Sequence, residues 1–319
     1  MTVLVDLVVV LGMLVVVPLG LRLVAAPETA LACRLWPLFA VPGAVSLWLP
    51  RGAPATALAG CYAAGTLLLA VAATRRLART RSLAPGEVAL LTALVSPAVA
   101  ATALVAERLG HPLLGFDLAI LDLTVPHFHF AGFAAALVAG LVRAATGDRP
   151  LSAFAALSVP LGTLLVLLGY FVDDWAELAG AVVLTAGMWA VGLLTWRDVR
   201  ARVRDRLTGA LLAVSAAVLV ATMLLALSWA LGEATGWPHP SLAWMAATHG
   251  VANALGFALC SLLAWRRLAS APGPQPRTGH DAPGPEPRRP ARGTHPPAHP
   301  PSPAPATATA APDPLEVPE

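Results

Sequence analysis

LTGALLAVSAAVLVATMLLALSWAL, residues 207–231, carries no charged side chain, and it directly follows RDVRARVRDR, residues 197–206, in which five of ten residues are arginine. An uncharged apolar run of this length is long enough to cross the hydrocarbon core of a bilayer as one helix. Arginine crowded against one end of such a run belongs on the cytoplasmic side. This one stretch therefore predicts both a membrane-spanning helix and its direction.

The same pattern recurs along the chain. Mostly apolar runs lie near 3–24, 30–50, 53–74, 87–106, 122–142, 151–171, 175–196, 207–231 and 242–265, about nine in all. The composition agrees, with 57% hydrophobic and 12% charged residues, a balance foreign to soluble globular domains. The expected fold is all-α, a polytopic transmembrane helix bundle over residues 1–268. From Ala269 to Glu319 proline, alanine and glycine take over, and a disordered cytoplasmic tail is expected because nothing there can bury a core.

Arginine placement sets the expected topology. Arg75, Arg76, Arg79 and Arg81 follow the third run, Arg143 and Arg149 the fifth, Arg197 to Arg206 the seventh, and Arg266 and Arg267 the ninth. The alternate connections carry Glu107, Arg108, Asp117 and Asp122, then Asp173 and Asp174, then Glu233, and are acidic or nearly neutral. That distribution predicts an outside amino terminus and an inside carboxyl terminus, with Arg51 as the exception. No arginine precedes the first run, so it is expected to be a retained span. The net charge of +3 is explained by orientation, and no nucleic-acid partner is expected. Cys33, Cys61 and Cys260 have no paired spacing, so neither a disulfide framework nor a zinc site is indicated.

A weak internal repeat is visible. Val41-Pro42-Gly43 matches Val159-Pro160-Leu161-Gly162, and Gly132-Phe133 matches Gly256-Phe257 at a similar offset. This suggests two parallel four-helix halves after an extra first helix.

Titratable side chains inside apolar runs mark functional candidates. His127 and His129 open the fifth run, after Pro126. Glu177 opens the seventh, just past Asp173 and Asp174, and His249 with Asn253 lies in the ninth. His249 is roughly 12 Å deep at 1.5 Å per residue. His127, His129, Glu177 and His249 are expected in the outer half of the membrane. His249 and Asn253, four apart, share a helix face, and Gly250 with Ala254 offers an adjoining face for close packing. His127 and His129 point about 200° apart in a regular helix, so one is expected to face the site and the other to brace it. Pro126 is expected in a first helical turn. Glu177 is the expected carboxylate partner for an imidazole. Asp6 and Asp122 are lesser candidates.

His127-Phe128-His129-Phe130-Ala131-Gly132-Phe133, together with His249-Gly250 and Asn253-Ala254-Leu255-Gly256-Phe257, resembles the YndJ-like family of bacterial membrane proteins. The resemblance covers most of the apolar region and none of the tail. It implies a multi-pass fold in the cell membrane and a site at these motifs more than it implies a substrate.

Three functions remain open. The first is an integral-membrane enzyme acting on an isoprenoid or lipid, with His127 or His129 and Glu177 as an acid–base pair and His249 with Asn253 orienting the reacting group. The second is a proton-coupled small-solute transporter, for which Pro42, Pro97 and Pro160 would kink or break spans. In these two no cofactor is expected. The third is a haem or metal protein ligated by His249 with His127 or His129.

Overall fold

A computed structural model describes residues 3–24 and 26–270 of the chain. Among the described residues nine helices are long and apolar enough to cross a membrane: α1 Val3–Val24, α2 Pro27–Ser46, α3 Ala53–Thr80, α4 Pro85–Leu109, α5 Leu118–Thr146, α6 Pro150–Gly169, α7 Asp174–Arg202, α8 Arg206–Thr235 and α9 Leu242–Ser270. The described residues contain no β-strand. The expected tail, with His280, His295 and His299, lies outside the described residues apart from Ala269 and Ser270, which extend α9.

Local chemistry sets where each helix starts. Pro27, Pro54, Pro85 and Pro150 occupy first turns, where the missing amide hydrogen has no intrahelical role. Asp117, Asp173, Asp205 and Ser241 instead cap α5, α7, α8 and α9 through their side-chain oxygens. Left-handed Gly110 and Gly236 end α4 and α8.

The Asp117 cap corrects one expectation. Its carboxylate accepts from the amides of Ala119 and Ile120 at 2.9 Å each, so α5 begins before the apolar run it contains. Pro126 consequently sits inside the helix and not in its first turn. It cannot donate an amide hydrogen to the preceding turn, and the backbone from Phe128 to Ala134 adopts the wider π form.

Consecutive helices pack as antiparallel hairpins, and glycines set how closely. Between α6 and α7, a Cβ on Gly162 would lie 2.5 Å from the Leu184 backbone, one on Gly169 2.5 Å from Glu177, and one on Gly180 2.5 Å from Val166. Glycines seven apart on each helix (162 and 169, 180 and 187) keep that seam on one stripe. The glycines that mark the apparent repeat also pack in matching ways. Gly43 lies on Tyr62 of α3 and Gly162 on α7, while Gly132 lies on Ser96 of α4 and Gly256 on Val218 of α8.

The two ends of the bundle differ in charge. At one end Arg79 pairs with Glu28, Arg149 with Asp198 and Arg267 with Asp205. At the other lie the acidic connections and Arg51, the outlier of the arginine pattern. Arg51 is neutralised there by Glu107 at 2.8 Å, and Glu107 also pairs with Arg108. Arg108 in turn donates to the carbonyls of Ser46 and Leu47 at 3.3 Å each, closing the end of α2.

Candidate functional site

A chamber of about 310 Å³ lies among α1, α5, α6, α7, α8 and α9. Its wall is mainly apolar, including Val8, Phe130, Met188, Met223 and Phe257, and its polar groups include His127, Tyr170, Glu177, His249 and Asn253. A second cavity of about 400 Å³ adjoins it at the acidic end, lined by Asp173, Asp174, Glu233 and His239. Tyr170 and Glu177 line both.

His249 is held in one tautomer. Its Nδ1 lies 2.8 Å from the Thr222 carbonyl on α8, and because a carbonyl only accepts, Nδ1 carries the hydrogen. Nε2 then accepts from Asn253 Nδ2 at 3.2 Å, while the Thr222 hydroxyl shares its one hydrogen between Asn253 Oδ1 and the Val218 carbonyl, both at 3.0 Å. Thr222 thereby fixes both members of the α9 polar stripe.

His127 and His129 diverge. His127 lines the chamber, and its buried Nε2 has no hydrogen-bond partner among the described residues. His129 is fully buried away from the chamber: Nδ1 donates to the Val125 carbonyl at 2.7 Å, and Nε2 accepts from the Tyr62 hydroxyl of α3 at 2.5 Å. A Cβ on Gly12 of α1 would lie 2.9 Å from the His129 ring, so α1 approaches closely only through that glycine. His129 thus ties α5 to α1 and α3.

Glu177, in the first turn of α7, is 7% exposed. Neither histidine bonds to it. Tyr170 lines both cavities with it, and its charged neighbours are the carboxylates Asp174 and Glu233. Removal from water, then the Glu177 charge and its hydrogen bond, push the Tyr170 phenol above its ordinary range. Asp173 has a structural task, accepting from the Ala176 amide at 2.8 Å. Asp174 is exposed on the wall of the second cavity.

Gly250 does not pack against a helix as its spacing suggests. A Cβ there would meet nothing nearer than the Met245 carbonyl at 3.8 Å, and the residue opens onto the chamber. Gly256 makes the close contact instead.

The structure therefore gathers His127, Glu177, His249 and Asn253 around one space and leaves His129 outside it. Tyr170, Thr222 and Tyr62 are the residues that sequence reasoning missed. The chain has only two tyrosines, and each touches a candidate residue, so their rarity was the available signal. Among the described residues no group of three or more His, Cys, Asp or Glu side chains could hold a metal ion. Of the two ligand pairs expected for a haem, only His127 with His249 shares a cavity.

The family model described as YndJ-like protein matches residues 7–257. The chain belongs to that family and is a multi-pass helical membrane protein. No curated protein and no solved structure matches it significantly.

Proposed function

We propose that this YndJ-like protein is an integral-membrane enzyme of the bacterial cell membrane that draws an amphipathic substrate, a lipid or isoprenoid, into the chamber and acts on its polar end by acid–base chemistry. The observation that carries this reading is the single space in which His127, Glu177, His249 and Asn253 meet an apolar wall. A cavity with a few convergent polar groups in apolar surroundings is the usual form of a small-molecule site.

His127 is the proton-transfer group in this reading, since its buried Nε2 is uncommitted. The Thr222-braced His249 and Asn253 orient the reacting atoms. Glu177 exchanges protons between the chamber and the acidic cavity that it also lines. The arginine-rich end faces the cytoplasm and the acidic end faces outward.

A proton-coupled carrier is the second reading, favoured by the direct adjoining of the two cavities at Glu177. The discriminating experiment replaces His127 by alanine and Glu177 by glutamine in the producing cell. Loss or build-up of one lipid class in membrane extracts supports the enzyme. Unchanged lipids with altered solute uptake in vesicles would instead establish the carrier.

A further inference from the structure

The throat between the two cavities is formed by the residues common to both: Ile120, Tyr170, Glu177, Trp229 and Leu242. Glu177 is its one charged group. No arginine lines either cavity, and the chain contains no lysine. The second cavity adds Asp173, Asp174 and Glu233, and its basic side chain, His239, is held by Glu233 at 3.1 Å. A phosphate or diphosphate head would meet carboxylates with no guanidinium or ammonium to pair with, and like charges at close range repel.

The rings beside Glu177 point to the opposite charge. Tyr170 and Trp229 line the throat, and Phe116 meets Tyr170 edge-on with centroids 6.0 Å apart. Aromatic rings around a carboxylate form the surroundings that recognise organic ammonium groups. A bare metal cation wants several oxygen ligands, and no group of three described His, Cys, Asp or Glu side chains is placed to hold one.

We propose that this throat binds the head of a cationic amphiphile, a long-chain amine or quaternary ammonium without phosphate, whose apolar chain lies in the chamber. The inference rests on the chamber being an amphiphile site. Glu177 supplies the countercharge that the fold itself leaves without a cation among the described residues, and Tyr170 and Trp229 supply aromatic lining.

The test uses the full chain in uncharged maltoside micelles and three probes of one chain length: dodecyltrimethylammonium, dodecyl phosphate and dodecanol. Saturable binding is read against Gly250→Leu, which fills the chamber where a Cβ meets open space. The expected result is saturable binding of the ammonium, weakened at least about tenfold by Glu177→Gln and retained by Glu177→Asp, with no saturable binding of the phosphate. Trp229→Leu should weaken the ammonium and spare the alcohol, which keeps the proposal testable if Glu177→Gln does not fold. Phosphate or alcohol binding as tightly as ammonium, or ammonium binding unchanged in Glu177→Gln, overturns the charge assignment while leaving the chamber intact. If no probe distinguishes the natural protein from Gly250→Leu, the amphiphile site itself fails and this inference with it.

Discussion

Replacing Tyr62 by phenylalanine separates the two histidines of the first motif by consequence. The Tyr62 hydroxyl lies 2.5 Å from His129 Nε2, and neither side chain has exposed surface. His129 Nδ1 is 2.7 Å from the Val125 carbonyl, so it carries the hydrogen and Nε2 must accept. Phenylalanine keeps the ring, its volume and its edge contact with Trp36 at 5.8 Å, and removes one donor. Nε2 is then a buried acceptor without a partner, which costs about 1–3 kcal/mol. In a His129→Phe background that acceptor is gone, so the same change should cost less, and the double-mutant cycle should show coupling of about 1 kcal/mol or more.

The assay is unfolding of the purified chain in mixed micelles, followed by tryptophan fluorescence, beside amphiphile binding on the same samples. Tyr62→Phe should lower stability and leave binding within about twofold, because the pair sits outside the chamber. The inverse result, intact stability with lost binding or turnover, would refute the bracing role and return His129 to the chemistry.

Three further perturbations follow from the packing and charge. Glu107→Ala takes away the carboxylate that ion-pairs with the Arg108 guanidinium, 4% exposed by residue, and should destabilise the fold by about 3–5 kcal/mol, read as loss of monodisperse protein in detergent. Gly162→Ala must push α6 off the Leu184 backbone and should cost about 1–3 kcal/mol, whereas Gly250→Ala should leave the unfolding midpoint unchanged because its Cβ meets open space. The Thr208 hydroxyl and amide, with Arg267, hold Asp205 down to about 2. A carboxylate depressed in the folded state stabilises above its unfolded value and loses that contribution as pH falls toward the folded one. Protection of the Thr208 amide should therefore persist at neutral pH and fade from about pH 4 downward, and Asp205→Asn should remove the pH dependence.

The nine spans of the described residues were legible because hydrocarbon thickness imposes a length that apolar runs must meet. Their ends were less so, since Asp117 starts α5 ahead of its apolar run through two amide hydrogen bonds. The candidate residues were legible for the same reason as the spans, being polar where lipid or packed helices surround them. Their neighbours were not. Helical spacing fixes the angle between His127 and His129 about their own axis, but not which helix stands on either side. That depends on packing set by Gly12, Gly162 and Gly169, whose missing side chains let specific partners approach. The spacing of Gly250 and Ala254 misled for this reason: the periodicity is a packing pattern, yet a Cβ on Gly250 would meet no neighbouring helix within 4 Å among the described residues, and its absent side chain becomes space in the chamber.

The backbone at the centre of the bundle joins these findings. Gly12–Val16 in α1, Phe128–Ala134 in α5 and Ala252–Leu259 in α9 are all π-helical, and the three segments touch one another. Such segments are uncommon and concentrate where function needs an altered register. Here the Trp36 indole donates to the Met13 carbonyl at 2.8 Å, so α2 satisfies a backbone acceptor within the wide turn of α1. The His129 ring lies against Gly12, at the start of that same turn. The Tyr62–His129 pair lies outside the chamber, while Phe128, Phe130 and Ala131 of the same π segment line it. A change in the register of α5 at Phe128–Ala134 would move the anchor and the chamber wall together, whereas loss of the Tyr62 hydroxyl alone leaves that backbone in place.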